Sequence, residues 1–259
     1  MPELPEVETF KRYFDKTSLN QIIKSIKVID NRVLDIDEEN LKKLVNNNHF
    51  QSSIRHGKYL LINLEKGVLV MHFGMTGDLE YYDSKEEDPS YSKVIFHFSN
   101  GFNLAYISLR MFGRLYIANS IEEFIERKKL GPDAFKMSLE EFKGALKKRT
   151  AILKNALLNQ SFVAGIGNIY SDEIMFRTKL NPKFKLNTLD DSKVKELFTN
   201  IKDILQFGID KEGDLSSYPD IFLIPHRKKE EICPICQNEI KSIDLSGRRG
   251  YYCPNCQAE

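Results

Sequence analysis

Residues 94–107 read Val-Ile-Phe-His-Phe-Ser-Asn-Gly-Phe-Asn-Leu-Ala-Tyr-Ile, and this stretch decides the fold of the first half of the chain. Two β-rich runs, Val94 to Phe98 and Phe102 to Ile107, are joined through Asn100-Gly101, the strongest short signal for a β-hairpin. A second pair, Tyr59 to Leu64 and Val68 to Phe73, is joined by Glu65-Lys66-Gly67. The pattern therefore predicts a β-rich domain over roughly residues 1–131.

Helical signals lie on both sides of these strands. Pro5 is favoured at the first position of a helix, and Val7, Phe10 and Phe14 then recur at helical spacing. Beyond a short helix that Gly131-Pro132 stops, the apolar period is helical. The predicted helices cover residues 121–130, 138–148, 151–160, 168–178 and 190–207. The fold class is therefore α+β, with the helices after residue 138 packed as a compact bundle.

The composition indicates a globular protein but does not by itself indicate what the protein binds. The 259 residues are 41% hydrophobic and 29% charged, which is typical of a globular protein with a real core. No apolar run approaches the roughly 20 residues of a membrane span. The acidic N-terminus predicts no signal peptide and a cytoplasmic protein. The net charge is only +1, but basic clusters at Lys147-Lys148-Arg149, Arg227-Lys228-Lys229 and Arg248-Arg249 make an anionic partner plausible.

The four cysteines indicate a metal site. They form two C-x-x-C pairs, Cys233 with Cys236 and Cys253 with Cys256, and sixteen residues lie between the pairs. Paired knuckles at this separation are typical of tetrahedral zinc. The alternative, two disulfides in a secreted chain, is disfavoured because no signal peptide is visible. Four protein ligands leave no open position, so one structural and non-catalytic zinc ion is predicted.

The N-terminus contains a candidate nucleophile. Removal of Met1 would expose Pro2 as a secondary amine, and an α-amino group titrates near 7.7–8.0, against about 10.4 for lysine. Such an amine can form an iminium at an aldehyde-level carbon, and Glu3 and Glu6 could handle the protons. The alternative stays open at this point: Pro2 is a tolerated second residue, and Glu6 suits a helix N-terminus.

Four separate motifs and the terminal cysteines together carry a family resemblance. The opening Pro2-Glu3-Leu4-Pro5-Glu6-Val7-Glu8-Thr9 resembles the N-terminus of bacterial formamidopyrimidine-DNA glycosylases, the family that includes endonuclease VIII. Gly57-Lys58-Tyr59-Leu60 is similar to its strand with an active-site lysine, and residues 165–173 to the second half of its helix–two-turn–helix motif. Gly247-Arg248 before Tyr252-Cys253 completes the match, from residue 2 to residue 256.

The resemblance implies a fold and an activity. It implies an N-terminal β-sandwich with an opening helix (1–131), a helix–two-turn–helix DNA-binding domain (132–212), and a linker with a C-terminal zinc-finger hairpin (213–259). The implied activity is that of a base-excision-repair DNA glycosylase and AP lyase. It would act as a monomer on double-stranded DNA with damaged bases or abasic sites, and would cut the strand by β,δ-elimination.

The resemblance also implies residue roles. In the catalytic group Pro2 is the nucleophile, Glu3 the acid/base at the sugar, Glu6 a supporting carboxyl, and Lys58 a phosphate holder. Met75, Arg110 and Phe112 would fill the gap left by the flipped nucleotide. The remaining implied DNA contacts are Lys154, Gly167, Asn168 and Arg248.

The residues themselves leave alternatives to these roles. Gly165-Ile166-Gly167, followed by free N–H groups at the helix beginning at Asn168, predicts an anion site suited to a DNA phosphate, but would also fit a simple helix–helix turn. Lys58 at a strand start could be merely solvated. Met75 and Phe112 could equally belong to the core of the sheet.

Two departures from the family pattern leave the lesion open. Met111 stands where the family usually places arginine before the phenylalanine. Residues 208–219 lack the family's Thr-Leu-Arg-Asp-Phe and the glycine-rich loop that covers an oxidised purine. The absence of this loop argues against recognition of 8-oxoguanine and leaves ring-opened purines, oxidised pyrimidines or hydantoins as candidate substrates. Two other classes compete: a non-catalytic protein that binds damaged DNA, and an RNA- or ribosome-binding module.

Overall fold

Strands dominate the first half of the chain. The computed structural model describes residues 2–146 and 150–257, so the basic cluster Lys147-Lys148-Arg149 lies outside the described residues. The strands of this half are β1 Ile22–Val28, β2 Asn48–His49, β3 Ser52–His56, β4 Tyr59–Asn63, β5 Val68–His72, β6 Gly77–Asp83, β7 Ser92–Phe98, β8 Phe102–Ser108 and β9 Arg114–Ala118.

These strands form two antiparallel sheets. One has five strands in the order β2-β1-β7-β8-β6, and the other has four in the order β3-β4-β5-β9. Both predicted hairpins are confirmed: Phe96 pairs with Leu104 across β7 and β8, and Asn63 pairs with Val68 across β4 and β5. The Asn100 side chain accepts a hydrogen bond from the Phe102 N–H, and Gly101 has a φ of 87°. Asn-Gly closes this turn because glycine adopts positive φ without a steric penalty.

One hydrophobic core fills the space between the two sheets. Ile62 and Met71 of the four-stranded sheet and Phe96 and Tyr106 of the five-stranded sheet belong to one buried cluster. Helix α1 (Leu4–Thr17) adds Phe14 to it. A fully buried aromatic or large aliphatic side chain contributes roughly 1.5–3 kcal/mol, so this shared core holds the sheets face to face. The predicted β-sandwich with an opening helix is confirmed.

Two short helices complete this half of the chain. Helix α2 (Glu38–Val45) was not predicted, although Asp37 caps it by accepting hydrogen bonds from Glu39 and Asn40 N–H groups. Its eight residues bury only Leu41 and Val45, which is a weak periodic signal. Helix α3 (Ile121–Arg127) was predicted from residue 121, and Ser120 caps it.

Helices and a small hairpin form the second half. The helices are α4 Leu139–Leu146, α5 Leu153–Leu158, α6 Asn168–Arg177 and α7 Asp191–Asp210. Helix α5 is shorter than the predicted 151–160 because Ile152 instead pairs with Lys185 in a β-bridge. Strands β10 (Lys241–Leu245) and β11 (Arg248–Tyr252) are joined by Ser246 and Gly247, both with positive φ, as a two-residue hairpin turn requires.

The chain divides into two compact units. The first contains Met1–Pro2 and Glu6–Lys128, and the second contains Glu3–Pro5 and Lys129–Glu259. The three residues Glu3–Pro5 therefore belong to a unit whose other residues begin more than a hundred positions later. Across residues 2–146 and 150–257, no helix is long and apolar enough to cross a bilayer.

Candidate active site and metal centre

The carboxylate of Glu3 occupies the N-terminus of α6. Its Oε2 accepts hydrogen bonds from the N–H groups of Gly167 (2.6 Å) and Tyr170 (3.3 Å), and its Oε1 accepts one from Ile169 (2.8 Å). The side chain is buried, with 1% of its surface exposed. A carboxylate is favourable here because the first N–H groups of a helix lack partners within it and carry partial positive charge.

Two glycines make this docking possible. A Cβ on Gly167 would lie 2.2 Å from the Glu3 carboxyl carbon, and a Cβ on Gly165 would lie 2.5 Å from Leu4 Cδ1. Gly165 also has a φ of 119°, which side-chain-bearing residues rarely adopt, and its carbonyl accepts the Leu4 N–H. The sequence predicted that this glycine motif binds a DNA phosphate. The N–H of Gly167 instead binds the chain's own carboxylate, and a contact of Gly167 with DNA stays a prediction.

The other N-terminal candidates are close to Glu3 along the chain. Pro2 is half-buried and directly precedes Glu3, and Met1 lies outside the described residues. Glu6 is half-buried in the first turn of α1. An amine on Pro2 would therefore stand one residue from a carboxylate that three backbone donors hold in place. This pairing suits a reaction in which the amine attacks carbon while the carboxylate moves a proton.

Lys154 is not placed for DNA contact. It is fully buried, and its Nζ donates to Asp172 Oδ1 (2.5 Å) and Ser171 Oγ (3.2 Å). Burial lowers the pKa of this lysine, while the Asp172 charge acts in the opposite direction. A contact of Lys154 with DNA stays a prediction that this structure does not support, because an ammonium without exposed surface, paired with a buried carboxylate, presents no charge to a phosphate.

Asp172 links three segments of the second unit. Its Oδ2 accepts hydrogen bonds from Arg227 Nη2 (2.9 Å) and from the Tyr251 N–H of β11 (3.1 Å). The next residue, Glu173, is also buried, and burial raises its pKa to about 7. It accepts hydrogen bonds from the Ile224 N–H and the Arg177 side chain. The helix–two-turn–helix motif in the sequence included both acids, but no role was predicted for them. Both lie on α6 among residues that are all buried, and this position was the signal that could have indicated a role.

Two polar residues lie near the tip of the C-terminal hairpin. Asn168 Nδ2 donates to the Arg249 carbonyl (2.7 Å), and its buried Oδ1 has no hydrogen-bond partner among the described residues. Arg248 is exposed and lines a cavity of about 160 Å³ with Asn155, Asn159 and Ser246. The hairpin thus presents Arg248 at the surface, as phosphate binding requires. Its contact with DNA, and that of Asn168, remain predictions.

Lys58 lies in the turn between β3 and β4. It is largely buried, and the preceding Gly57 has a φ of 56°. The buried Arg55 donates to the Gly57 carbonyl (3.2 Å) and forms an ion pair with Glu8 (2.9 Å). Arg55 therefore ties this turn to helix α1. Lys58 is not the freely solvated lysine of the alternative interpretation, and its phosphate contact remains a prediction.

The three predicted gap-filling residues lie on two turns of the first unit. Met75 is 37% exposed in the turn between β5 and β6, and Phe112 is 53% exposed in the turn between β8 and β9. The exposed Arg110 lies over the Phe112 ring at 5.5 Å from its centroid. Met75 and Phe112 are therefore not sheet core, so that alternative is wrong. Large apolar side chains on exposed turns are available to wedge between bases.

His72 lies at the end of β5, and the sequence analysis predicted no role for it. Burial lowers its pKa to about 4, and the positive charges of Lys58, Lys128 and Arg114 act in the same direction. Its Nδ1 accepts a hydrogen bond from the Gly74 N–H (3.3 Å). The neutral ring thus stabilises the start of the turn that carries Met75.

The four cysteines form the predicted metal centre. All four Sγ atoms lie within 4.8 Å of one another, with Cys233 and Cys256 at 3.8 Å and Cys236 and Cys253 at 3.4 Å. Tetrahedral metal–sulfur bonds of about 2.3 Å separate the sulfurs by roughly 3.8 Å, so the four thiols fit one ion. None of the four forms a disulfide, so the disulfide alternative is wrong.

Comparison with known proteins covers the whole chain. Residues 1–115 match the formamidopyrimidine-DNA glycosylase N-terminal domain, and residues 130–219 match the formamidopyrimidine-DNA glycosylase H2TH domain. The formamidopyrimidine-DNA glycosylase of Mycoplasma mobile is 34% identical over 272 residues, covering 99% of each chain.

Solved structures agree with this similarity. The Fpg protein of Lactococcus lactis in complex with DNA containing N7-benzyl-Fapy-dG is 30% identical, with a TM-score of 0.90 and full coverage of both chains. A complex of the Lactococcus lactis protein with DNA containing an abasic site has a TM-score of 0.88 at 30% identity, over 99% of this chain and all of that one.

Proposed function

The chain belongs to the formamidopyrimidine-DNA glycosylase family, and from this premise we propose how its residues carry out base excision. The protein is a DNA glycosylase with AP lyase activity that acts on damaged double-stranded DNA. The RNA- and ribosome-binding interpretation is thereby wrong. We place the enzyme in the cytoplasm, on the DNA of the nucleoid, as a monomer.

Pro2 is the nucleophile in this proposal. After Met1 is removed, the Pro2 nitrogen attacks C1′ of the flipped nucleotide, the glycosidic bond breaks, and its electron pair leaves with the base. The Pro2 nitrogen then loses its proton, O4′ takes a proton from the Glu3 carboxyl group as the sugar ring opens, and an iminium between Pro2 and C1′ results. Loss of a C2′ proton expels the 3′ phosphate, and a second elimination expels the 5′ phosphate.

Glu3 is the acid/base at the sugar, and its position is the observation that carries the proposal. Three N–H donors at the N-terminus of α6 fix both carboxylate oxygens, and the residue directly follows the nucleophile. A carboxyl group held in this way gives and takes protons at one place without reorganising. Glu6 supports the site from the first turn of α1.

Residues on both units hold the DNA in this proposal. Lys58, Asn168 and Arg248 bind phosphates flanking the lesion, which fixes the register of the duplex without reading its sequence. Met75 and Phe112 wedge between the bases, and Arg110 contacts the unpaired base opposite the gap. The exposure of Met75 and Phe112 supports this assignment.

Oxidised and ring-opened bases are the proposed substrates. Residues 208–219 contain the end of α7 at Asp210 and a 3-10 turn, Leu215–Ser217, in place of a glycine-rich loop. A flipped base would be covered less completely by such a short segment. A panel of duplexes containing 8-oxoguanine, ring-opened guanine, oxidised pyrimidine and hydantoin will rank these lesions.

Zinc is the proposed metal of the cysteine centre. Cys233, Cys236, Cys253 and Cys256 would all bind as thiolates, which complete a tetrahedral zinc shell without an open position. The ion, when bound, crosslinks the two knuckles at the base of β10 and β11. Gln257, one residue after Cys256, anchors the cysteine centre to the residues that follow α6: its Nε2 donates to the Leu180 carbonyl (2.9 Å).

Borohydride trapping tests the proposed chemistry. The enzyme is mixed with duplex DNA containing an abasic site and reduced, and a covalent protein–DNA adduct at Pro2 is expected. Pro2→Gly should abolish the proline-linked adduct, whereas Glu122→Gln, an acid in helix α3, should leave the yield unchanged. No adduct with the wild type would favour a protein that binds damaged DNA without cleaving it. An undiminished yield with Pro2→Gly would show that the imine does not depend on the proline nitrogen, and would count against Pro2 as the nucleophile.

A further inference from the structure

The two turns that bear the exposed side chains are locked together at the backbone. Gly74 has a φ of 60°, and a Cβ on it would lie 2.3 Å from the Phe112 carbonyl carbon, so only glycine allows this approach. The Arg110 N–H donates to Thr76 Oγ1 (3.0 Å). The turn with Met75 and the turn with Phe112 therefore behave as one tip, which we call the paired tip (residues 73–76 and 109–113).

One residue in the paired tip has an unfavourable backbone conformation. Met111 has a φ of 60°, in the left-handed region that residues with a Cβ rarely adopt. Its side chain packs against the core of the first unit, and so points away from the exposed Arg110 and Phe112. The left-handed residue reverses the chain between these two. A conformation of this kind persists only when surrounding contacts impose it.

Arg114 supplies those contacts. Its Nη1 donates to the Met111 carbonyl and to the Gly113 carbonyl, both at 2.7 Å. A terminal guanidinium nitrogen has two hydrogens, so one atom can bind both carbonyls, and these carbonyls flank Phe112. Hydrogen bonds from a charged donor are stronger than those from a neutral one.

Arg114 also lies next to the start of the turn that carries Met75. It is the first residue of β9 and pairs with His72, the last residue of β5 before the Met75 turn. The Tyr106 hydroxyl donates to the His72 carbonyl (2.7 Å), and Gly113 leaves room for that hydroxyl. Arg114 is thus attached to a rigid strand pair and reaches outward to the tip.

We propose that Arg114 is a positioning residue for base flipping: it holds the paired tip in the shape in which Arg110 and Phe112 enter the duplex. The proposal rests on the proposed function of the protein. Arg114 itself need not touch DNA. Its guanidinium fixes the backbone on both sides of Phe112, so the tip does not have to be ordered when the DNA binds.

The test compares Arg114→Ala and Arg114→Lys with the wild type. The matched control is Arg127→Ala, since Arg127 also donates to a backbone carbonyl, that of Ile117, but on helix α3 and outside the paired tip. Gap filling is followed by 2-aminopurine fluorescence next to a tetrahydrofuran abasic analogue in duplex DNA. Borohydride trapping is measured in parallel on a duplex and on a single strand containing an abasic site.

Arg114→Ala should slow both the fluorescence change and duplex trapping by about tenfold, the effect of losing one or two charged hydrogen bonds. Trapping on the single strand, which needs no gap filling, should stay within about twofold of the wild type. Arg114→Lys should recover part of the duplex rate, because an ammonium can still donate to a carbonyl. Arg127→Ala should match the wild type.

Equal losses on single strand and duplex, or no loss of the fluorescence change, would overturn the proposal. If Arg114→Ala does not fold, the Arg114→Lys fluorescence rate decides: a rate equal to that of the wild type would overturn the proposal that the guanidinium of Arg114 positions the paired tip. If the wild-type enzyme gives no covalent adduct, the proposed chemistry fails. The fluorescence measurement still tests Arg114 in that case.

Discussion

The Glu3 carboxylate accepts a hydrogen bond from the Gly167 N–H at 2.6 Å, across 164 residues of sequence. This contact places an acid on the donors that a helix N-terminus usually offers to a bound anion. The helix–two-turn–helix region therefore has two tasks in this enzyme. It presents Asn168 near the C-terminal hairpin, and it fixes the carboxyl group next to Pro2, the proposed nucleophile.

Replacing Glu3 by Gln should reduce base removal by about 100-fold or more, the usual contribution of an acid/base group. Gln keeps one oxygen acceptor but places an N–H₂ group against a backbone donor. Single-turnover release of the damaged base is the measurement. An unchanged rate would remove Glu3 from the mechanism.

Gly167→Ala should impair base removal by about tenfold or more even though Gly167 has no side chain, because the new Cβ would lie 2.2 Å from the Glu3 carboxyl carbon. Gly144→Ala is the matched control, since a Cβ there meets no described atom within 4 Å apart from its chain neighbours and the backbone of its own helix. Within helix α4, that change should stabilise the protein by about 0.5–1 kcal/mol. Rates and thermal unfolding of both variants decide the comparison.

The salt dependence of DNA binding should separate Arg248 from Lys154. Arg248→Ala removes one phosphate contact, so the slope of log K against log salt should fall by about 1. Lys154→Met should leave the slope unchanged and lower the free energy of unfolding by roughly 3 kcal/mol, because it breaks a buried ion pair with Asp172. A smaller slope for Lys154→Met than for the wild type would show that this lysine contacts a DNA phosphate.

Removal of the metal should abolish tight DNA binding. The protein as isolated is expected to contain one zinc ion by native mass spectrometry, and Cys236→Ser should lose it. Without the ion, no metal–sulfur bonds join the two knuckles that support β10 and β11, and Arg248 loses its fixed position. Full affinity in metal-free protein would contradict this structural role.

Acid should destabilise the protein partly through His72. The pKa of His72 is about 4 in the folded protein, against 6.5 when unperturbed, so between these values the unfolded chain binds more protons. The free energy of unfolding therefore falls as pH drops from about 6.5 to 4.

The matched variant for this effect is His72→Asn. Its amide oxygen can still accept from Gly74, but it does not titrate. The wild type should lose about 2 kcal/mol more than the variant across this pH range in denaturant titrations. Parallel pH curves would contradict the assignment.

Local patterns predicted most of the fold because they reflect nearby residues. Asn100-Gly101 fixed one hairpin, and the β4–β5 pair agreed with its predicted bounds to within one residue at each end. The cysteine spacing predicted a cluster that the structure confirms. Helix α2 escaped because eight residues with two buried side chains give too little periodicity.

Long-range contacts decided the features that sequence patterns missed. No residue close to Gly167 in sequence indicates that its N–H binds Glu3. Likewise, no residue close to Lys154 in sequence indicates that it pairs with Asp172. Arg114 looks like an ordinary residue at the start of a strand. Its role becomes visible only when the carbonyls of Met111 and Gly113 are seen to converge on its guanidinium.

The docking of Glu3–Pro5 in the second unit has a consequence for biosynthesis. The ribosome makes these residues long before their partners at 165–170. Until those partners emerge, the nascent enzyme has the proposed nucleophile without the neighbouring Glu3 carboxylate in place. In the proposed mechanism, translation that stops before residue 165 thus yields fragments with an unassembled catalytic centre, and the capacity to cut DNA arises only in chains that have passed this point.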